Sequence, residues 1–360
     1  MSRSRIPCSF ACLLIMTWAS ASFAWNDMGH ITVARIAYSR MSDAERQAVA
    51  DILRQHPHHD IYFQRPDGLD VPEAEYLMLR AATWCDFIRP PRGMQPEQAR
   101  VHPIHKFHRG PWHYVNFPYQ PGQDTSVLPT PLIPTELLKT NILEQLQVTH
   151  DVLSGKLDRD FGQVDGVTPQ QNRAVRLCWL FHLVGDLHQP LHAVALVNKD
   201  LFPGPHHGDN GGNFVMIRVH AKSAPSNLHA YWDNLPGFSK GWRDGKDAGK
   251  LLADVQRARD EAELLTHNPA YAPEKLTEFA AHHKYVEWAF ESFQLAASTA
   301  YDDGKLKFVA QQKLRENPDL KDAVPVLSPL QQERAHAVGH RRVTLAGYRL
   351  AEQIQAILRL

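Results

Sequence analysis

The sequence predicts a mainly α-helical single domain, a helical bundle carrying a small β-hairpin and long structured loops. Apolar residues recur at helical spacing through several long stretches. No linker, repeat or low-complexity tract divides residues 25–360, and two segments rich in proline and glycine interrupt the helical pattern.

The elements follow in chain order. Residues 1–24 read as a signal peptide: Arg3 and Arg5 supply a basic start, residues 10–18 are mostly apolar, and Ser22-Phe23-Ala24 fits the small-x-small cleavage rule. Cleavage there leaves Trp25 first in a domain spanning residues 25–360. No other apolar run is long enough to cross a bilayer, so a secreted or periplasmic protein without membrane association is expected. Ile31–Ala37 opens a helix, and residues 137–157, 172–189, 282–301 and 333–360 continue the helical period. Residues 85–140 are proline-rich from Pro90 onward and read as loop around the short segment "WHYVNF". Residues 197–226 carry "PGPHHGDNGGN" and then "FVMIRVH", whose alternation implies a strand in a small hairpin.

Composition restricts the function. The chain has 39 Lys and Arg against 39 Asp and Glu, which is no electrostatic footprint for wrapping duplex nucleic acid. Any bound phosphate therefore needs another source of positive charge, and 21 histidines beside the acidic residues suggest metal. Cys8 and Cys12 leave with the signal peptide, so Cys85 and Cys178 form either one bridge or two buried thiols. No protein partner is indicated, and a monomer is expected.

The densest chemistry lies in "HLVGDLHQPLH", residues 182–192. His182 and Asp186 are four apart and share a helix face, and Pro190 should end that helix and let His192 turn back. An isolated H-x-x-x-D pair is usually a surface ion pair. Here the flanks Cys178, Trp179, Leu180, Phe181, Leu183 and Val184 point to burial, where imidazole and carboxylate need a partner. "NLHAYWD" repeats the spacing with His229 and Asp233. Nitrogen and carboxylate ligands suit zinc, with manganese or iron left open by ligand type.

Together with "WNDMGH", "ATWCDFIR", "WHYVN", "GGN" and "AGYRLA", these motifs make the chain resemble the zinc-dependent single-strand-specific nucleases of the nuclease S-one and P-one type. The resemblance implies a mostly helical fold similar to zinc phospholipase C, with three Zn2+ ions. It implies Asp86, His113, His182 and Asp186 around one ion. It places Trp25, through its α-amino nitrogen and carbonyl oxygen, with His30 and Asp186 around a second, and His192, His229 and Asp233 around the third. A metal-bound hydroxide held between ions on Asp86 and Asp186 would attack phosphorus. Arg89 would brace Asp86 or a phosphate oxygen, Asn234 would hydrogen-bond a base, and Tyr114 would stack on it.

The expected activity is hydrolysis of single-stranded DNA and RNA to 5′-phosphorylated products, with removal of 3′-phosphate from nucleotides. A phospholipase C-like phosphodiesterase and a secreted metal- or haem-binding protein are the rival readings. Other conspicuous residues have plainer roles. His188 is expected to be structural, and His56, His58, His59, His102, His105 and His108 solvent-exposed, as are His206 and His207. Trp112 and Trp232 should wall the metal pocket, Gly211 and Gly212 should form a tight turn, and Asn213 could tie that loop to the site. Asn26 stands where the family more often has glycine, and "YVNFPYQP" replaces an acidic loop.

Overall fold

The computed structural model describes residues 25–132, 141–157, 164, 166–202, 206–243 and 245–358; the expected signal peptide lies outside the described residues. Helix α1 (Asp27–Ser39) starts on Asn26, whose side chain accepts from Gly29 N at 3.2 Å. Helix α2 (Asp43–Leu53) starts on a reciprocal Ser42 and Glu45 capping box, and α3 (Glu73–Phe87) follows. Within the stretch expected to be helical over 137–157, the described helix is α4 (Ile142–Leu153), capped by Asn141. The central helix α5 (Pro169–Leu187) opens with a Thr168 and Gln171 capping box and Pro169 in its first turn. After it come α6 (Leu228–Asp233), α7 (Ala248–His267), α8 (Tyr285–Leu295) and the long α9 (Pro329–Leu358).

These helices form a bundle in which α1 packs on α3, α7 and α9, while α5 lies against α3 and α4. The α1–α9 crossing is close: a Cβ at Gly347 would fall 2.5 Å from Ile36 Cβ, so only glycine fits there. No helix among the described residues is long and apolar enough to cross a membrane.

The β structure is small. Strand β1 (Phe117–Tyr119), from the "WHYVNF" region, runs parallel to β2 (Val194–Leu196), which directly follows the turn at Pro190. Strand β3 (Val215–Ile217) forms the expected hairpin with β4 (Ser226–Asn227), on its C-terminal side, and Val309–Ala310 (β5) adds a third strand on the other edge. Among the described residues before β3, Gly208 makes an isolated antiparallel bridge to Val197. The third strand comes from nearly a hundred residues downstream, beyond the reach of local alternation.

Two histidines read as solvent-exposed are in fact core residues. His56 and His58 are buried beside Trp84 and Phe107. His58 Nδ1 accepts from the Trp84 indole N–H at 3.1 Å, and its Nε2–H donates to Pro103 O at 2.9 Å. Burial holds His58 neutral, down to about 4, and pushes His56 well below its ordinary value. Their aromatic neighbours come from α3 and from the proline-rich loop, so the local sequence shows only polar histidines beside prolines. His59, His102, His105 and His108 are half-buried, against the expectation of exposure; His102 and His105 stack at 4.4 Å. His206 is exposed and His207 half-buried.

Below the C-terminal end of α5 sits a buried ionic cluster. Glu291 accepts from Arg342 Nη1 and from Arg349 Nη1 and Nη2, the last two at 2.8 and 2.7 Å. His188 joins it, accepting from Arg349 Nη1 at 2.9 Å while its Nδ1–H donates to Val184 O at 2.7 Å. Arg342 reaches the His188 carbonyl, and Ser292 Oγ donates to Leu187 O at 2.5 Å. The end of the ligand-bearing helix is thereby pinned to α8 and α9. Cys85 and Cys178 are both free, buried thiols. Glu291→Gln should strand two buried guanidinium groups and lower unfolding stability by about 3–5 kcal/mol, read from urea denaturation; a change below about 1 kcal/mol would show that the cluster does not hold the helix end.

Candidate metal centre

Three buried groups of ligand-type atoms converge at one end of the bundle: His30, Asp86 and His182; His113, His182 and Asp186; and His192, His229 and Asp233. Within each group the atoms lie within 4.8 Å of one another. The second group is compact. His113 Nδ1 is 2.9 Å from Asp186 Oδ2 and 3.1 Å from His182 Nε2, and His182 Nε2 is 3.3 Å from the same oxygen. Tetrahedral ligands about 2.1 Å from a zinc ion stand about 3.4 Å apart, so this triangle has the right size. The other Asp186 oxygen lies 3.3 Å from His30 Nε2, so the carboxylate faces two groups at once.

The fit to metal rests on atoms that have nowhere else to go. Asp86 Oδ2, Asp186 Oδ1 and His30 Nε2 are buried without a hydrogen-bond partner. Several unsatisfied lone-pair atoms in one polar centre would be costly without a cation.

The local fold aims each side chain. His182 and Asp186 project from the same face of α5, and Asp86 stands near the end of α3. His113 closes the short 3-10 turn Gly110–His113, and His192 lies on the turn Pro190–Ala193 that follows α5. Three imidazoles are oriented through Nδ1–H bonds to main-chain carbonyls, leaving Nε2 to face inward: His182 to Ala82 O at 2.8 Å, His192 to His113 O at 2.6 Å, and His229 to Gly211 O at 2.6 Å. Gln189 Nε2 donates to Asp233 Oδ1 at 2.8 Å. Gly185 admits the ring of His30, since a Cβ there would sit 2.8 Å from His30 Nδ1.

The remaining residues singled out by sequence also have definite places. Trp25 is fully buried, with its indole beside Gly29 and Gly185, and the next residue's N–H donates to Asp233 O at 3.0 Å. Arg89 Nη2 donates to Asp86 Oδ1 at 2.9 Å. Tyr114 is half-buried and extended, its carbonyl accepting from Ile142 N at 3.3 Å. The Asn234 side chain bonds to Asn26 and to Ala230 O. Trp112 and Trp232 are buried, Trp112 packing edge-on against Trp179 at 4.8 Å.

Gly211 and Gly212, at φ of 60° and 82°, make the expected turn, but they tie it to the site themselves, through Gly211 O on His229. Asn213 bonds within the loop to Asn210 O. Asp209 was not singled out by sequence, although it organises that loop. It accepts from Leu196 N and Gly212 N at 2.9 Å and from Tyr301 OH at 2.7 Å. Its place just before the glycine pair was the available signal.

Electrostatics separate the ligands. Burial disfavours charge on Asp186, yet His182, His113 and His30 outweigh it and hold the carboxyl well below the usual range. Burial likewise opposes an ionised Asp86, but Arg89 above all keeps it low. Burial works against the His182 imidazolium, and Asp186 and Asp86 still lift it to about 9. Burial dominates at His113, lowering it to about 4, and at Asp233, which it pushes well above the carboxylate range with Asp86 and Asp186 adding to the effect.

Metal must therefore displace a proton from His182 at neutral pH. Uptake should acidify a weakly buffered solution, and affinity should fall about ten-fold per pH unit, for each displaced proton, as pH drops below 9. Calorimetry in buffers of different ionisation enthalpy reads the proton count; pH-independent affinity between 6 and 8 would contradict it.

Comparisons with known proteins identify the family. Residues 25–359 match the family described as S1/P1 Nuclease. Endonuclease 4 of Arabidopsis thaliana is 29% identical over 130 residues, a stretch covering 36% of this chain and 38% of that protein. The family match starts at Trp25 and takes in every residue of the three ligand groups. The chain belongs to the S1/P1 nuclease family.

Proposed function

We propose that the protein is a secreted, zinc-dependent phosphodiesterase that cleaves single-stranded DNA and RNA to 5′-phosphorylated products and removes 3′-phosphate from nucleotides. The observation that carries this reading is the convergence of three buried His/Asp groups, two of which share His182. Asp86, His113, His182 and Asp186 suit one zinc ion; His30, Asp186 and the N-terminal Trp25 suit a second; His192, His229 and Asp233 suit a third. Bound zinc supplies Lewis acidity and a water acidified toward neutral pH for in-line attack at phosphorus.

The chain's own groups do the positioning. Asp186 stays ionised and presents one oxygen to each of two groups. Arg89 holds Asp86 through Nη2. Metal charge also explains how a chain without a basic excess attracts phosphate. Asn234 and Tyr114 are the assigned base contacts, and a base must be unpaired to be hydrogen-bonded at its edge and stacked on an aromatic ring.

Wild-type protein should cleave a single-stranded oligonucleotide far faster than its duplex, lose turnover to a chelator and regain it with zinc. His182→Ala should lose bound zinc and at least about 100-fold in rate, consistent with loss of a metal ligand. Release of choline phosphate from lecithin without oligonucleotide cleavage would replace this reading with a phospholipase, and metal binding without turnover would replace it with a scavenger.

An α-amino group titrates near 8 and gives up its proton to a metal, whereas the same nitrogen inside a peptide bond does not ligate in that way. Cleavage after Ala24 therefore creates the Trp25 ligand. Protein with one extra residue before Trp25 should bind fewer than three zinc ions, measured by elemental analysis, and should be nearly inactive. Full zinc content and full activity would remove Trp25 from the ligand set.

A further inference from the structure

Asn26 stands between the candidate N-terminal ligand and helix α1, and its side chain is engaged on both sides. Its Oδ1 accepts from Gly29 N at 3.2 Å. Its Nδ2 donates to Gly237 O and, at 2.8 Å, to Asn234 Oδ1. Asn234 Nδ2 in turn donates to Ala230 O at 2.7 Å. These bonds determine both amide orientations. Gly29 offers only a donor, so Asn26 must turn its oxygen there and its nitrogen toward Gly237 O, which only accepts. The Asn234 atom facing that nitrogen must then be oxygen, leaving its nitrogen for Ala230 O. Turning either amide over would set like atoms against each other at more than one contact.

A locked amide has a chemical consequence. After these bonds, Asn234 keeps one N–H and one oxygen lone pair, on fixed sides. Adenine and cytosine present an exocyclic amino donor next to a ring-nitrogen acceptor; guanine, uracil and thymine present an exocyclic carbonyl next to a ring N–H donor. The two classes show opposite orders of donor and acceptor, so a fixed amide matches one and opposes the other. An amide free to rotate by half a turn would match both.

We propose that Asn26 is a positioning residue for base selection: by locking the Asn234 amide it makes the site sort amino bases from keto bases. This rests on the reading of Asn234 as a base contact. It also couples selection to the N-terminus, because the residue following the cleaved end holds the amide in place.

The test is kcat/KM for the dinucleoside monophosphates ApA, CpC, GpG and UpU with the zinc-loaded enzyme. Each class holds one purine and one pyrimidine, so differences in stacking largely cancel between class averages. The wild type should favour one class by at least about five-fold, the value of one well-oriented hydrogen-bond pair. Asn26→Ser keeps an oxygen to cap α1 but is too short to reach Asn234 and Gly237. It should retain wild-type zinc content while the class ratio falls below about two-fold. A wild type without class preference, an unchanged ratio in Asn26→Ser, or a changed ratio accompanied by zinc loss would each overturn the proposal. Asn234→Ala separates the two readings: if it alters neither KM nor the ratio, the base contact itself fails. If it alters them while Asn26→Ser does not, only the positioning role fails.

Discussion

Asp186 is a carboxylate with no exposure to solvent, facing His30, His113 and His182 at 2.9–3.3 Å, and much of the bundle serves to keep it there. An ionised carboxylate in a protein interior is tolerated only beside compensating charge and hydrogen bonds. The surrounding imidazoles supply part of that compensation, and the arrangement suits divalent ions for the rest. Helix α5 brings Asp186 into the centre, Gly185 leaves room for His30 to approach, and the Glu291, Arg342 and Arg349 cluster fixes the end of the same helix. The ionic cluster and the ligand centre thus both hold the C-terminal half of α5.

Precision at the centre comes largely from main chain. Ala82, His113 and Gly211 lend carbonyls to His182, His192 and His229, and each carbonyl belongs to a different element from the ring it orients. His113 serves twice, with its ring in one ligand group and its carbonyl behind a member of another. Asp209 extends this order outward by shaping the loop that carries Gly211, and Tyr301 ties Asp209 to the segment after α8. Long irregular connections can carry a site of this kind because their backbone groups are spent on one another and on ligands.

His182, Asp186, His192, His229 and Asp233 stand out in the sequence because their signals are local, two four-residue His/Asp spacings in apolar surroundings and a proline that ends α5 before His192, whereas Trp25, His30, Asp86 and His113 are picked out only by the family resemblance. Long amphipathic helices were legible for the same reason. What was missed depends on distant partners. His56 and His58 look like surface histidines until Trp84, Phe107 and Pro103 fold over them. Strand β5 pairs with β3 across a long separation, and Glu291 meets Arg342 and Arg349 only once α8 lies on α9. Helix α3 was hidden in part because Asp86, near its end, opens the stretch where prolines dominate the reading.

Cys85 adjoins Asp86 in sequence, and Cys178 lies one turn before His182, so two sulfur atoms sit close along the chain to a centre built from nitrogen and oxygen. Burial pushes both thiols well above their ordinary range, and the Cys85 thiol is directed at the Cys178 carbonyl at 3.8 Å. Soft cations are captured by thiolate, and here the sulfur is kept in its protonated form. The three ligand groups are accordingly nitrogen and oxygen only, and a soft cation arriving at this end of the bundle would find no thiolate in them to hold it in preference to zinc.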